Sequence, residues 1–127
     1  MTTATPNVAK AFRLDEMPLE TVREGFARTG IRSQEAMHTV NWFEPGFKTA
    51  GPHAHAFDQV SYVLAGSMRF WVDDEVFDLV APSVLYIPAN APHCAEPLGT
   101  ERALNVDVFA PVRSDYLPLC AHQQFVP

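Results

Sequence analysis

The chain has 127 residues, a length that fits one domain and leaves little room for a second. Hydrophobic residues make up 47% of it, enough for a core, and eleven prolines against six glycines favour short segments broken by turns over long helices. Nine lysines and arginines against fifteen acidic residues give a net charge of -6 with no basic face, which argues against a nucleic-acid partner.

Cysteine use and hydropathy set the expected compartment. Cys94 and Cys120 form no Cys-x-x-Cys pair, so neither a zinc knuckle nor a redox motif is indicated. The first ten residues lack the apolar run of a secretory signal, and no apolar stretch has the length of a membrane span. We therefore expect a cytoplasmic protein with free thiols and no membrane partner.

Residues 1–33 are predicted to form an N-terminal arm, which is irregular up to residue 18. Within Leu19–Arg28 the apolar residues recur at roughly helical spacing. This spacing predicts one or two helical turns, although Gly25 interrupts them.

Short alternating runs follow from residue 34 onward. Strands are predicted over 36–43, 59–64, 68–72, 76–80, 84–87 and 104–109, with a hairpin turn at Asp73-Asp74. Short strands at regular spacing, with no helix among them, predict an all-β antiparallel sandwich or small barrel over residues 34–117. Residues 118–127 would be a C-terminal tail.

The segment Gly51–Gln59 carries three potential metal ligands. Side chains at even separations on an extended chain share a face, so His53, His55 and Gln59 should point the same way. A fourth candidate, His93, lies in a predicted proline-bounded loop and would reach the ion from another strand. Three imidazoles and one amide oxygen leave positions open for water or substrate, as in catalytic metal sites. A lone His-x-His pair is more often a surface or core feature, so this prediction depends on all four residues.

These residues resemble the two motifs of the cupin superfamily. The first motif is His-x-His, three or four residues, Glu or Gln, six residues, Gly, and it is matched here by His53, His55, Gln59 and Gly66. The second is Gly, five residues, Pro-x-Gly, two residues, His, three residues, Asn, and it is matched less fully by Pro82, Pro88-Ala89-Asn90, His93 and Pro97. The resemblance implies a double-stranded β-helix, or jelly-roll barrel, with one divalent ion (iron, manganese, nickel, zinc or cobalt) on His53, His55, Gln59 and His93.

Three departures from the motifs have physical consequences. Asn90 replaces a glycine but tolerates a left-handed backbone, so its turn should be kept. Pro82 replaces another glycine, and that turn should differ. Gln59 stands where Glu is more usual. A neutral amide leaves the charge of a divalent ion uncancelled, which should weaken metal retention but strengthen Lewis acidity.

A narrower resemblance links the chain to the small pectin-degradation cupins of the KdgF type. It is carried by Gln59–Gly66, Ile87–His93 and the Asp-x-Phe-x-Pro-x-Arg run from Asp107 to Arg113. Members of that family carry Gln as the fourth ligand and promote ring opening of 4,5-unsaturated uronates to a linear keto sugar acid. The resemblance therefore implies an enzyme acting on a small sugar acid, with Asp107, Phe109 and Arg113 in the active site.

The residues themselves leave two of these roles open. Asp107 and Phe109 share one face of their strand, opposite three apolar residues. If the apolar face packs outward, Asp107 faces the interior as a general acid or base; otherwise it is a surface carboxylate. Arg113 either forks onto a substrate carboxylate or pairs with Asp115 at the surface.

Two other functions remain open, namely a metal-dependent dioxygenase and a non-catalytic ligand-binding cupin. A dioxygenase would need a redox metal and a roomy apolar pocket. Exposed sheet edges and an apolar outer face also predict a homodimer through Val60, Tyr62, Leu64 and the N-terminal arm.

Overall fold

A computed structural model describes residues 7–127, and most of the regular structure in this part of the chain is β. The strands are β1 (Glu20–Arg23), β2 (Phe26–Arg32), β3 (Met37–Phe43), β4 (Gln59–Ala65), β5 (Ser67–Val72), β6 (Glu75–Val80), β7 (Ser83–Ile87), β8 (His93–Leu98) and β9 (Ala103–Phe109). All neighbours pair antiparallel, in a six-stranded sheet of order β1-β2-β3-β9-β4-β7 and a three-stranded sheet of order β6-β5-β8. This is the predicted all-β jelly roll, and each predicted strand is present to within one residue at either end.

The inner faces of the two sheets share one apolar core. Phe43, Val63 and Ile87 enter it from the larger sheet, and Met68 and Phe70 enter it from the smaller one. Complete burial of such side chains contributes about 1.5–3 kcal/mol each. The same inner faces of β3, β4 and β9 also carry a polar group that surrounds the candidate site, made of Thr39, Asn41, Gln59, Ser61, Asn105 and Asp107.

The helical turns predicted within Leu19–Arg28 are wrong. β1 and β2 form a hairpin there, with Gly25 at φ 84° between them, and all seven residues of β2 pair with β3. Phe26 packs against the aromatic part of the core, whereas Leu19 and Val22 are 46% and 40% exposed. The helical spacing of these three residues was therefore misleading, because they share no buried face.

The sequence predicted that His93 lies in a loop. In the structure His93 is instead the first residue of β8. The run His-Cys-Ala-Glu-Pro-Leu does not alternate in polarity, and Pro97 cannot donate to a strand ladder. Pro97 is tolerated because β8 is an edge strand of the smaller sheet.

The first and last described segments of the chain meet on the larger sheet. The region assigned to the arm contains β1 and β2, and its first six residues lie outside the described part. A 3₁₀ helix, Ser114–Gln123, packs on β2 and runs from the predicted barrel into the predicted tail. Asn7 exchanges hydrogen bonds with the main chain of Val126.

Within residues 7–127 no helix is long and apolar enough to cross a membrane.

An apolar patch lies on the outer face of β4 and β7. Tyr62, Leu64, Val84 and Tyr86 are 40%, 45%, 55% and 59% exposed. Tyr62 pairs with Val84 across the ladder, and Val60 pairs with Tyr86, so the side chains form one contiguous surface. We define Val60, Tyr62, Leu64, Val84 and Tyr86 as the outer patch.

We predict that the outer patch pairs with a second copy of itself, because contiguous exposed apolar surface favours association and homodimers are usually symmetric. Light scattering at micromolar concentration should give twice the mass of one chain for the wild type and a single-chain mass for Tyr86→Lys. Val80→Lys is the matched control, since Val80 is 68% exposed on β6 in the other sheet, and it should stay dimeric. A monomeric wild type would contradict the prediction.

Candidate metal centre

Three histidines from distant parts of the sequence meet at one end of the barrel interior. His53 and His55 lie in the segment before β4, and His93 begins β8. One potential ligand atom from each imidazole lies within 4.8 Å of the other two. No other group of three or more His, Cys, Asp or Glu in residues 7–127 comes together in this way.

Main-chain hydrogen bonds hold the two histidine segments together. His53 and His93 exchange a pair of N–H to O=C bonds of 3.0 and 2.9 Å. The N–H of Asn90 donates to the carbonyl of His55 at 2.7 Å. Asn90 has φ 67°, so the expected left-handed turn at this motif position is confirmed. Gly66, the last residue of the first motif, has φ 70°, and a Cβ there would lie 2.8 Å from the carbonyl oxygen of Arg102.

Main-chain carbonyls determine which ring nitrogen of His93 and of His55 carries the proton. Nδ1 of His93 lies 2.8 Å from the carbonyl of Ala91, and Nδ1 of His55 lies 2.8 Å from the carbonyl of Phe57. A carbonyl only accepts, so Nδ1 is the donor in both rings and Nε2 keeps its lone pair. Nε2 of His93 is buried and has no hydrogen-bond partner among the described residues. An unpaired buried acceptor is costly, and a bound cation would offset that cost.

The side-chain oxygen of Gln59 is a further acceptor, and it lies beside Nε2 of His55. This Oε1 lies 3.1 Å from Nε2 of His55, and Nε2 of Gln59 donates to the hydroxyl of Ser61 at 2.9 Å. Two acceptor atoms in contact repel each other unless a cation lies near both. The donor set of three imidazole nitrogens and one amide oxygen therefore fits a first-row divalent metal ion, which His53, His55, His93 and Gln59 would hold.

Two of the three histidines, His53 and His93, have lowered pKa values that favour the neutral form a metal needs. Desolvation lowers the pKa of His53 to about 4, helped by His93, His55 and Arg113, although part of the ring faces open space. Burial also lowers the pKa of His93. Metals bind the neutral imidazole, so at neutral pH these two rings do not have to release a proton first.

The histidine cluster opens into a pocket of about 350 Å³. Asp107, Phe109 and Arg113 all line this pocket, together with His53, Gln59 and His93. The structure thus brings the three predicted active-site residues next to the predicted metal ligands. Cys94 also lines the pocket but does not belong to the ligand cluster.

Asp107 faces the barrel interior, since the alternating apolar residues of β9 point outward. Its Oδ1 accepts from Ser61 Oγ at 2.7 Å and from Asn105 Nδ2 at 3.0 Å, and its Oδ2 accepts from Asn41 Nδ2 at 3.2 Å. Burial raises the pKa of the Asp107 carboxyl, and the hydrogen bonds from Ser61 and Asn105 oppose that rise. The surroundings of this carboxyl are therefore polar and hydrogen-bonded.

Sequence reasoning missed Ser61 and Asn41. Ser61 follows Gln59 by two residues on β4, so strand alternation alone could have placed it on the same face. Asn41 pairs with Asn105 across the β3–β9 ladder, and finding it required the strand order. Neither residue belongs to the motifs.

Arg113 forms the pair with Asp115, one of the two alternatives that the sequence left open, and it also lines the pocket. Its Nε and Nη2 donate to the two carboxylate oxygens of Asp115 at 3.1 and 2.7 Å. The side chain is nevertheless only 11% exposed, and the guanidinium lies 4.8, 4.8 and 3.7 Å from the ring centroids of Phe57, Phe109 and Tyr116. Arg113 is therefore a rigid pocket residue with one edge paired and its Nη1 edge left for another group.

We expect His93→Ala to lose stoichiometric metal, because two imidazoles and an amide oxygen bind a divalent ion far more weakly than the full set. Gln59→Glu should bind the ion more tightly, since a carboxylate cancels part of its charge. Metal content after loading and desalting measures both. His122→Ala is the control, because His122 hydrogen-bonds the carbonyl of Gly30 away from the cluster. Equal metal content in the wild type and His93→Ala would rule out the site.

Comparisons with known proteins identify the family of this fold. An uncharacterised protein of Streptomyces coelicolor is 29% identical over 105 residues, which cover 83% of this chain and 99% of that protein. KdgF from a Halomonas species has a TM-score of 0.74 at 26% identity, with 85% of this chain and 98% of that chain covered. An RmlC-like cupin from Shewanella frigidimarina has a TM-score of 0.70 at 26% identity, with 88% and 99% covered. The family model for the cupin domain matches residues 42–109, more than half of the chain, and the chain therefore belongs to the cupin domain family.

Proposed function

We propose that this cupin is a metal-dependent enzyme that opens the ring of a small sugar acid, with 4,5-unsaturated uronates as its substrate class. The observation that carries the proposal is the presence, in one pocket, of the histidine cluster, a partly buried carboxylate and several arginines. The likeness to KdgF from Halomonas and the Asp-x-Phe-x-Pro-x-Arg run support this activity over other cupin activities. A role in pectin breakdown in the cytoplasm would follow from such a substrate.

The charge of the pocket favours an anionic substrate. Arg23, Arg28 and Arg113 line the pocket, whereas Asp107 is the one carboxylate among the lining residues, in a chain of net charge -6. Arg28 pairs with Glu20 and Arg113 pairs with Asp115. Arg23 donates to a main-chain carbonyl and forms no ion pair with the described residues. Positive side chains concentrated in a cleft attract carboxylates and orient them.

Arg113 is suited to hold the substrate carboxylate. Asp115 takes the Nε edge of its guanidinium, so the edge formed by Nη1 and the second N–H of Nη2 remains for a bidentate contact. The rings of Phe57, Phe109 and Tyr116 keep the group in place. A guanidinium held in this way loses little conformational freedom on binding, which favours a fixed substrate orientation.

Ring opening of an unsaturated uronate is an isomerisation, so every proton removed is also delivered. The anomeric hydroxyl loses its proton as the bond between C1 and the ring oxygen breaks, and C4 gains one as C5 becomes a ketone. A bound divalent ion supplies Lewis acidity toward a substrate oxygen. In this proposal Asp107 accepts the first proton and delivers the second, and its raised pKa brings both of its protonation states closer to neutral pH.

Phe109 serves as a wall of the pocket in this proposal. It is 2% exposed and contacts the rings of His55, Phe57 and Tyr116, with centroid distances of 5.8 to 6.0 Å. Packed in this way, it excludes water from the space beside Asp107 and Arg113.

We predict that Asp107→Asn lowers kcat on the best unsaturated uronate by about a hundredfold or more, the usual worth of a general acid–base group. Turnover is compared at saturating metal, where the content should stay near one ion per chain because Asp107 is not itself a ligand. Loss of the enol absorbance of the substrate follows the reaction. Wild-type turnover in Asp107→Asn would exclude the proposed proton transfer.

We predict a different kinetic effect for Arg113→Lys. Lysine keeps the charge but loses the fork, so KM should rise while kcat changes less. Arg69→Lys is the matched control, because Arg69 pairs with Asp78 at 2.7 Å on the smaller sheet and does not line the pocket. Unchanged KM in Arg113→Lys would remove this residue from substrate binding.

One feature favours a second candidate, a metal-dependent dioxygenase. Phe26, Phe43, Phe47 and Phe70 line the part of the pocket formed with the core, and such a wall suits an apolar substrate. Oxygen consumption by the iron-loaded protein with small aromatic substrates, together with no activity on unsaturated uronates, would favour this function over ring opening.

A further inference from the structure

The amide of Gln59 has two ends that differ in chemistry. Its oxygen can bind a metal ion and its NH₂ group cannot, and a half-turn of the terminal torsion exchanges them. The hydrogen-bond network around the amide therefore decides whether Gln59 is competent as a ligand. Three of its neighbours bear on this orientation. Nε2 of His55 lies 3.1 Å from Oε1, and Oγ of Ser61 lies 2.9 Å from Nε2. Burial raises the pKa of the Asp107 carboxyl and a hydrogen bond from the Gln59 side chain opposes that rise, which adds to the preference of Ser61 for the NH₂ end.

His55 by itself favours the wrong orientation. The Nδ1 proton of His55 is bound to the carbonyl of Phe57, so its Nε2 is an acceptor. In the metal-free protein the NH₂ group of Gln59 would be a better neighbour for this nitrogen than the amide oxygen is. A flipped Gln59 would then cap His55 and withdraw the fourth donor from the cluster.

Ser61 favours the competent orientation. Its hydroxyl has a single proton, and that proton goes to Oδ1 of Asp107 at 2.7 Å. Asp107 also accepts from Asn105 and Asn41, one on each oxygen, which is the pattern of an ionised carboxylate. With its proton committed, the Ser61 oxygen can only accept, and only the NH₂ end of Gln59 can donate to it. Ser61 is completely buried, so water does not compete for this bond.

We propose that Ser61 is a positioning residue that holds the oxygen of Gln59 toward the three histidines, through a hydroxyl whose direction Asp107 sets. The inference rests on the metal centre of the proposed function. It assigns Asp107 a second task, because the carboxylate that would move protons also orients a ligand of the ion. Residues behind metal ligands commonly affect metal affinity by about ten- to a hundredfold.

A double-mutant cycle tests the proposal through metal affinity alone. Wild type, Ser61→Ala, Gln59→Glu and the double variant are loaded with Co²⁺, and Kd is measured by competition with a chromogenic chelator. Ser61→Ala should weaken binding by about tenfold or more when residue 59 is Gln. In the Gln59→Glu background the same change should have little effect, because both terminal atoms of Glu are oxygens and orientation no longer matters.

The outcomes separate the two levels of the proposal. A loss of equal size in both backgrounds, or no loss in either, would overturn the role of Ser61 while leaving the metal centre in place. A wild type that binds no Co²⁺ would overturn the centre itself and this role with it. Thermal unfolding checks that each variant is folded. If Ser61→Ala is not, Ser61→Cys replaces it, since a thiol is similar in size but a weak acceptor.

Discussion

The pair of main-chain hydrogen bonds between His53 and His93 is the constraint on which the site depends. It joins the segment before β4 to the start of β8, so it connects the larger sheet to the smaller one at the pocket. Because each histidine backbone is fixed, and Nδ1 of His55 and of His93 is tied to a carbonyl, their Nε2 lone pairs cannot turn away from the pocket. The fold thus concentrates acceptors where a bound cation would stabilise them.

The polar network behind the histidines is a second constraint on the fold. Buried carboxylate and amide groups are costly unless each finds partners. β3, β4 and β9 supply these partners to one another, since Asn41, Ser61 and Asn105 all donate to Asp107. The core of Phe43, Val63, Met68, Phe70 and Ile87 compensates with apolar packing between the sheets. Phe43 and Phe70 also line the pocket, so the core and the site adjoin each other in one interior.

The sequence predicted the parts of this structure that strand alternation and motif spacing encode. Six strands, the inward face of Gln59 and the turn at Asn90 follow from local patterns, and so does the meeting of Asp107 with the histidines once a barrel is assumed. The hairpin of β1 and β2 was missed because its apolar residues happen to recur at helical spacing. β8 was missed because an edge strand tolerates Pro97 and shows no alternation.

Other features depend on contacts that no local pattern contains. The Asn41–Asn105 pair depends on the order of strands in the larger sheet. The sequence treated the Arg113–Asp115 bond and a position of Arg113 in the pocket as alternatives, whereas the structure has both. The orientation of the Gln59 amide depends on a hydroxyl and a carboxylate from two strands. These features depend on residues that are close in space but distant in sequence, and they determine the chemistry of the site.

The central claim is that one metal ion is held by the three histidines and Gln59. An anomalous difference map, recorded at the absorption edge of the loaded metal on crystals of the protein, tests it most directly. We expect one peak per chain, in coordinating contact with Nε2 of His55 and His93, an imidazole nitrogen of His53 and Oε1 of Gln59. A peak elsewhere, or no peak in a crystal grown from metal-loaded protein, would contradict it.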